Sequence, residues 1–166
     1  MNRPSTLAVV LALALFAPTG PRPLQNPSVT SSLSFEGAWT ASGERTSLPT
    51  ETERDAAIVQ LAGALVLSSP GGLARGFHAQ AIGFDDGAGV RLGRALWVDD
   101  AGDRLFSTLT GDQLATGARF NGTITGGTGR YVGMTGEYTF TWQYVVGDKN
   151  GAVSGRAVGL KGTVRR

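Results

Sequence analysis

The chain has no cysteine in its 166 residues. That removes disulfides, thiolate nucleophiles and thiolate metal sites together. It has one histidine, His78, so zinc ligation would fall almost wholly on carboxylates, and a Ser-His-Asp hydrolase would depend on that residue. No Gly-x-Ser-x-Gly elbow precedes a helical pattern, and no Gly-Lys-Ser/Thr ending marks a phosphate loop. There are only two lysines, Lys149 and Lys161, and the formal net charge is +2. Nucleic-acid binding requires clustered cations along one face with interleaved aromatics, so no nucleic-acid partner is expected. Charged residues are scarce, at 17%, and no apolar run is long enough to span a bilayer comfortably.

What is abundant is glycine, 25 residues without a collagen-type period, as expected for many short strands and tight turns. The N-terminus reads differently. One basic residue, Arg3, precedes the apolar run Leu7 to Ala17, which matches the n-region and h-region of an export signal. Residues 1–20 are therefore expected to be a signal peptide, with the mature start between Ala17 and Asn26; an uncleaved anchor is the alternative. Periplasmic or extracellular localisation follows, with no membrane span in the mature form. Residues 21–32 are rich in proline, serine and threonine and read as a disordered linker.

Residues 33–166 then form one domain of alternating runs separated by Gly, Asp and Asn. The alternation predicts strands at about 33–40, 57–67, 75–84, 90–99, 104–110, 118–125, 136–146 and 152–164. In the clearest, Tyr138, Phe140, Trp142 and Tyr144 share one face while Glu137, Thr139, Thr141 and Gln143 take the other. Turns are signalled by Asp85-Asp86-Gly87-Ala88-Gly89, by Val98 to Arg104 and by Asn150-Gly151. None leaves room for a crossover helix. The polar stretch Ser42 to Asp55, with Pro49, reads as a long mobile loop carrying a helical turn near Thr52 to Ala57. Segment 57–67, apolar on both faces, reads as a strand covered on both sides. Eight sequentially paired strands avoid exposed edges by closing, so the expected fold is all-β: an eight-stranded antiparallel up-and-down barrel, calycin-like in form.

The segment Gly126-Gly127-Thr128-Gly129-Arg130-Tyr131-Val132-Gly133-Met134-Thr135-Gly136 resembles the Gly-Gly-[Thr/Ser]-Gly-x-aromatic-x-Gly-x-x-Gly turn of the allene oxide cyclase and dirigent barrel superfamily. Gly159-Leu160-Lys161-Gly162 is similar to that family's closing strand. The resemblance implies an eight-stranded barrel with an apolar or mixed cavity, often assembled as a dimer or trimer. In plant members such cavities steer a reactive molecule, by cyclisation or by radical coupling of phenols. No catalytic residue carries over, because residues 33–80 do not match the cyclase's functional positions.

From the residues themselves, the aromatic row Tyr138, Phe140, Trp142 and Tyr144 is expected to point into the barrel, as core or as the wall of a ligand pocket. Arg94, between Leu92 and Leu96, is a candidate inward charge for a ligand carboxylate, with a surface position as the alternative. His78 beside Gln80 is a candidate acid, base or headgroup ligand, again against a surface position. Arg156, on the last strand, is a further candidate ligand-binding residue, with a pair to Glu137 across the hairpin as another role open to it. The turn acids Asp99, Asp100 and Asp103 lack a calcium loop's downstream glutamate, so no metal site is assigned, and no cofactor is implied. The expected function is binding of a small, mostly apolar ligand inside the barrel. A cyclase or isomerase and a purely structural barrel with a filled core are the alternatives.

Overall fold

The computed structural model describes residues 32–51, 54–89, 91–114, 117–147 and 151–166. The expected signal peptide and residues 21–31 of the linker lie outside these, as do Asn150 of the expected Asn-Gly turn and part of the expected helical turn near Thr52.

Eight strands follow one another: β1 Leu33–Leu48, β2 Ala56–Ser69, β3 Gly76–Asp85, β4 Arg91–Val98, β5 Arg104–Gln113, β6 Ala118–Gly127, β7 Thr135–Gly147 and β8 Ala152–Arg165. Each pairs antiparallel with the next, and β8 returns to β1, so the sheet closes into a barrel. Closure satisfies the backbone donors that an open meander would leave on two edges. A 3-10 turn over Gly129–Tyr131 is the one helical element among the described residues.

The sequence boundaries hold within a few residues except in β1. Ser42 to Leu48 continues the strand, pairing from Ser42↔Ala62 to Leu48↔Ala56, so the expected long loop shrinks to residues 49–55. The physical reason is where this half of β1 lies. Of its inward positions, Arg45 lines the open cavity, where no apolar side chain is required, and Gly43 leaves no room for a Cβ, which would lie 1.8 Å from the Gln60 carbonyl oxygen, so hydrophobic alternation disappears. Strand β2 is also not covered on both sides: Leu65 and Leu67 are buried inside, while Ile58 and Val66 are exposed on the outer wall.

Period two sorts the side chains. Inward positions include Phe35, Trp39, Leu65, Phe77, Trp97, Leu105, Ile124, Tyr138, Phe140 and Trp142, which form one continuous core. Burial of each large side chain contributes about 1.5–3 kcal/mol. A bulge opposite Phe140 lets β8 turn both Ala157 and Leu160 inward. The start of β1 and the end of β8, with the turns β2–β3, β4–β5 and β6–β7, gather at one end of the barrel; β1, β3, β5 and β7 end at the opposite pole.

The first end is sealed. Gly129 adopts φ +52°, and a Cβ there would meet the Asp103 carboxylate at 1.8 Å, so this position requires glycine. The turn it allows drives Tyr131 into the barrel, where it is fully buried against Phe77. Its hydroxyl donates to Asp99 Oδ2 at 2.8 Å and accepts the Ala74 N–H at 3.3 Å, tying the three turns together. Burial, followed by the bond to Asp99, pushes the Tyr131 hydroxyl up to about 12.

Candidate functional site

The open end differs in kind. Between the strands lies a cavity of about 500 Å³, lined by Trp39, Leu109, Phe120, Phe140 and Trp142 below and by Arg45, Asp85, Arg91 and Tyr144 towards the mouth. That volume lies in the range of small-molecule sites. Its floor is the middle layer of aromatic side chains. Trp39 packs on Trp142 at 5.1 Å between ring centroids and edge-on against Phe140 at 6.3 Å. Beneath them a void of about 10 Å³ borders Trp97 and Tyr138. It is too small for anything beyond a single water.

The local sequence explains why space is left here. Strands β3 and β4 turn Ala81, Gly83, Gly93 and Ala95 inward, opposite the aromatic row of β7. Gly155 on β8 does the same for Trp142: a Cβ there would lie 2.6 Å from the indole ring. Rings therefore lie flat against bare backbone on one wall, and the facing wall is too small to fill the remainder.

The polar part of the site is an ion pair between adjacent strands. Arg91 and Asp85 are register partners, and both Nε and Nη2 of Arg91 donate to Asp85 Oδ2 at 2.6 Å. Asp85 Oδ1 accepts the Gly87 N–H at 3.0 Å, which fixes the carboxylate from the turn side. The Arg91 side chain is 10% exposed. Its Nη1 has no partner, and neither have the indole nitrogens of Trp39 and Trp142. Burial raises the Tyr144 hydroxyl, with Asp85 adding to the rise and Arg45 and Arg91 opposing it.

Of the candidates read from sequence, Tyr138, Phe140 and Trp142 point inward as expected. Tyr138 belongs to the packed half, where its hydroxyl meets Ser107 Oγ at 2.7 Å, and burial pushes its pKa up to about 12. Tyr144 stands half exposed at the mouth. The cavity does not include the other three. Arg94 faces outward with Leu92 and Leu96, because the inward set of β4 is Arg91, Gly93, Ala95 and Trp97. His78 is exposed between inward Phe77 and Ala79, within 3.2 Å of Gln80. Arg156 is exposed and sits opposite Gln143 and Thr40, while Glu137 lies opposite Thr163, so the expected Glu137–Arg156 pair does not form.

Reading from sequence missed Arg91, Asp85 and Trp39. The usable signal was parity with Trp97, six residues beyond Arg91 on the same strand. The turn acids also have a structural role. Asp99 is buried and accepts the N–H groups of Ala101 and Asp103 on Oδ1, while Oδ2 takes the Tyr131 hydroxyl and Arg130 Nη2 at 2.8 Å. Burial alone would raise this carboxyl; the hydrogen bonds from Tyr131, Asp103 and Ala101, with the Arg130 charge, outweigh it and hold the pKa below the ordinary value. No cluster of three or more His, Asp or Glu suited to a metal occurs among the described residues. No helix among them is long and apolar enough to cross a membrane.

No family model matches the chain, and no curated protein matches it in sequence. A solved structure titled pyocyanin demethylase is similar at 16% identity, covering 78% of this chain and 99% of that one, with a TM-score of 0.43.

Proposed function

We propose that this chain is an exported barrel that binds a small, mostly apolar molecule in the open half of its interior. The observation that carries this reading is the cavity of about 500 Å³ walled by Trp39, Phe120, Phe140 and Trp142. It does not fit a purely structural barrel, which needs a filled interior. The leader-like run Leu7 to Ala17 supports export, and the Gly126 to Gly136 turn supports kinship with allene oxide cyclase and dirigent barrels. The direct test is calorimetric titration with 2-methylnaphthalene, a probe with no polar group. Uptake is expected in the natural chain and loss in Val59→Trp, which fills the mouth; no uptake overturns the reading. Sequencing the N-terminus of protein recovered from its own cells is expected to start between Ala17 and Asn26. An intact leader overturns the signal-peptide assignment.

A second reading, a cyclase or isomerase, is favoured by one observation: Asp85, Arg91 and Tyr144 converge on the same cavity. Mass spectrometry of a bound molecule before and after incubation separates the two, since cyclisation or isomerisation changes its fragmentation at constant mass and simple carriage does not. The reading also includes a dimer or trimer, supported by the exposed outer row Ile58, Phe84 and Leu92, which lie opposite one another on β2, β3 and β4. Light scattering on the purified chain checks it; a monomer at all concentrations overturns it.

A further inference from the structure

Because the sheet closes on itself, no strand edge is free to pair, and self-association has to run through side chains of the outer wall. Two adjacent rows cross that wall from β1 to β4. The row nearer the mouth is Thr46, Ile58, Phe84 and Leu92, in register, and its three apolar side chains are about half exposed. Beside it runs the row Glu44, Gln60, Ile82 and Arg94, with Ile82 also about half exposed. Mid-strand on β6 and β7 the outward positions are instead Asn121, Thr123, Thr139 and Thr141, which offer no such apolar surface.

The second row is charged only at its two ends, and with opposite signs. Glu44 lies opposite Gln60 and Ala152, and Arg94 opposite Ile82 and Thr108, so each has neutral neighbours on its own sheet. Both side chains are exposed, and neither forms an ion pair among the described residues.

A wall of this pattern is complementary to a second copy of itself. A two-fold axis parallel to the strands, passing between β2 and β3, sets β1 against the partner's β4 and β2 against the partner's β3. Glu44 then faces the partner's Arg94 at two symmetric places, and Ile58 faces the partner's Phe84. An axis along the rows would instead set Glu44 against Glu44 and Arg94 against Arg94, which like-charge repulsion disfavours. Side-chain length agrees with the first arrangement. The barrel wall curves away from a facing copy towards β1 and β4, and there the second row carries its long glutamate and arginine.

We infer that two copies of this chain pack wall to wall through β1–β4 as a two-fold dimer, with Glu44 of each paired to the partner's Arg94. Both cavities then open in the same direction. This inference rests on the assembly reading above and selects the dimer, its surface and its symmetry.

The test is light scattering of the natural chain and of two charge variants, alone and mixed. The natural chain is expected to be a dimer. Glu44→Arg and Arg94→Glu each bring like charges together at both contacts, and each is expected to raise the dimer dissociation constant at least about 10-fold. An equimolar mixture of the two is expected to recover the dimer, because each variant then meets the charge opposite to its own at both contacts. Recovery also shows that both variants are folded. A ring of three cannot recover in this way, since two kinds of subunit cannot alternate around three places. The double variant E44R/R94E, which reverses the pair, is expected to dimerise alone. A trimeric natural chain overturns the two-fold inference and leaves the assembly reading standing; a monomeric one overturns both. A dimer that survives both single variants, or single variants that dissociate and do not recover on mixing, overturns the pairing of Glu44 with Arg94.

Discussion

Two tyrosines occupy opposite ends of this barrel, and their environments differ in almost every respect. Tyr131 is fully buried, hydrogen-bonded to the β2–β3 and β4–β5 turns and packed at a tilt against Phe77. Tyr144 is 49% exposed and meets Trp142 edge-on at the rim of a cavity. One end of the interior is filled by side chains delivered from turns as well as strands, whereas the other keeps a cavity. The difference shows how one closed sheet divides its labour: a sealed half carries stability, and an open half is left available for a ligand.

The sharpest way to break this comparison is the same truncation at both ends. Tyr131→Ala is expected to cost about 3–5 kcal/mol in urea unfolding, and Tyr144→Ala less than about 1 kcal/mol. Equal losses would mean that the open end is as structural as the closed one. Tyr131→Phe keeps the ring but takes one of its two donors from Asp99 Oδ2 and leaves the Ala74 N–H without its partner, so a loss of about 1–3 kcal/mol is expected. Gly155→Val pushes against the Trp142 ring, and its expected cost of about 1–3 kcal/mol should come with weaker 2-methylnaphthalene binding, because the displaced indole enters the cavity.

The pH effects are smaller and belong to the closed end. The Asp99 carboxyl is held below its ordinary value of 3.8, so the stability it confers is complete above that pH and is lost as pH falls below it. Asp99→Asn is expected to flatten that acid limb, measured as melting temperature against pH. Tyr131 and Tyr138 are raised from 10 to about 12, so their contribution is complete below pH 10 and is lost as pH rises towards 12. Absorbance titration of the native chain is expected to show these two hydroxyls ionising only near that limit.

The fold was legible because strands whose inward face meets a packed core must alternate, as Tyr138, Phe140 and Trp142 do on β7 against Glu137, Thr139 and Thr141. Failure came where the inward face meets the cavity. The second half of β1 reads as loop because Gly43 and Arg45 need not be apolar. Parity on β4 was misread for a related reason: the large aliphatics Leu92 and Leu96 sit outside, while the inward positions hold small Gly93 and Ala95. A sequence shows which positions alternate but not which wall supplies the volume, so Arg94 looked like the interior arginine and Arg91 did not. The Gly126 to Gly136 turn was legible as a β connection; its part in sealing the barrel depends on where Asp99 and Ala74 arrive from distant turns.

The described chain enters at Leu33 and leaves at Arg165, both at the sealed end. A tag, fusion partner or surface linker joined directly ahead of Leu33 or after Arg165 therefore meets the barrel at the pole farthest from its mouth. The protein can be immobilised or displayed by its ends with the cavity facing solution, whereas any insertion meant to gate that cavity belongs in the connections after β1, β3, β5 or β7.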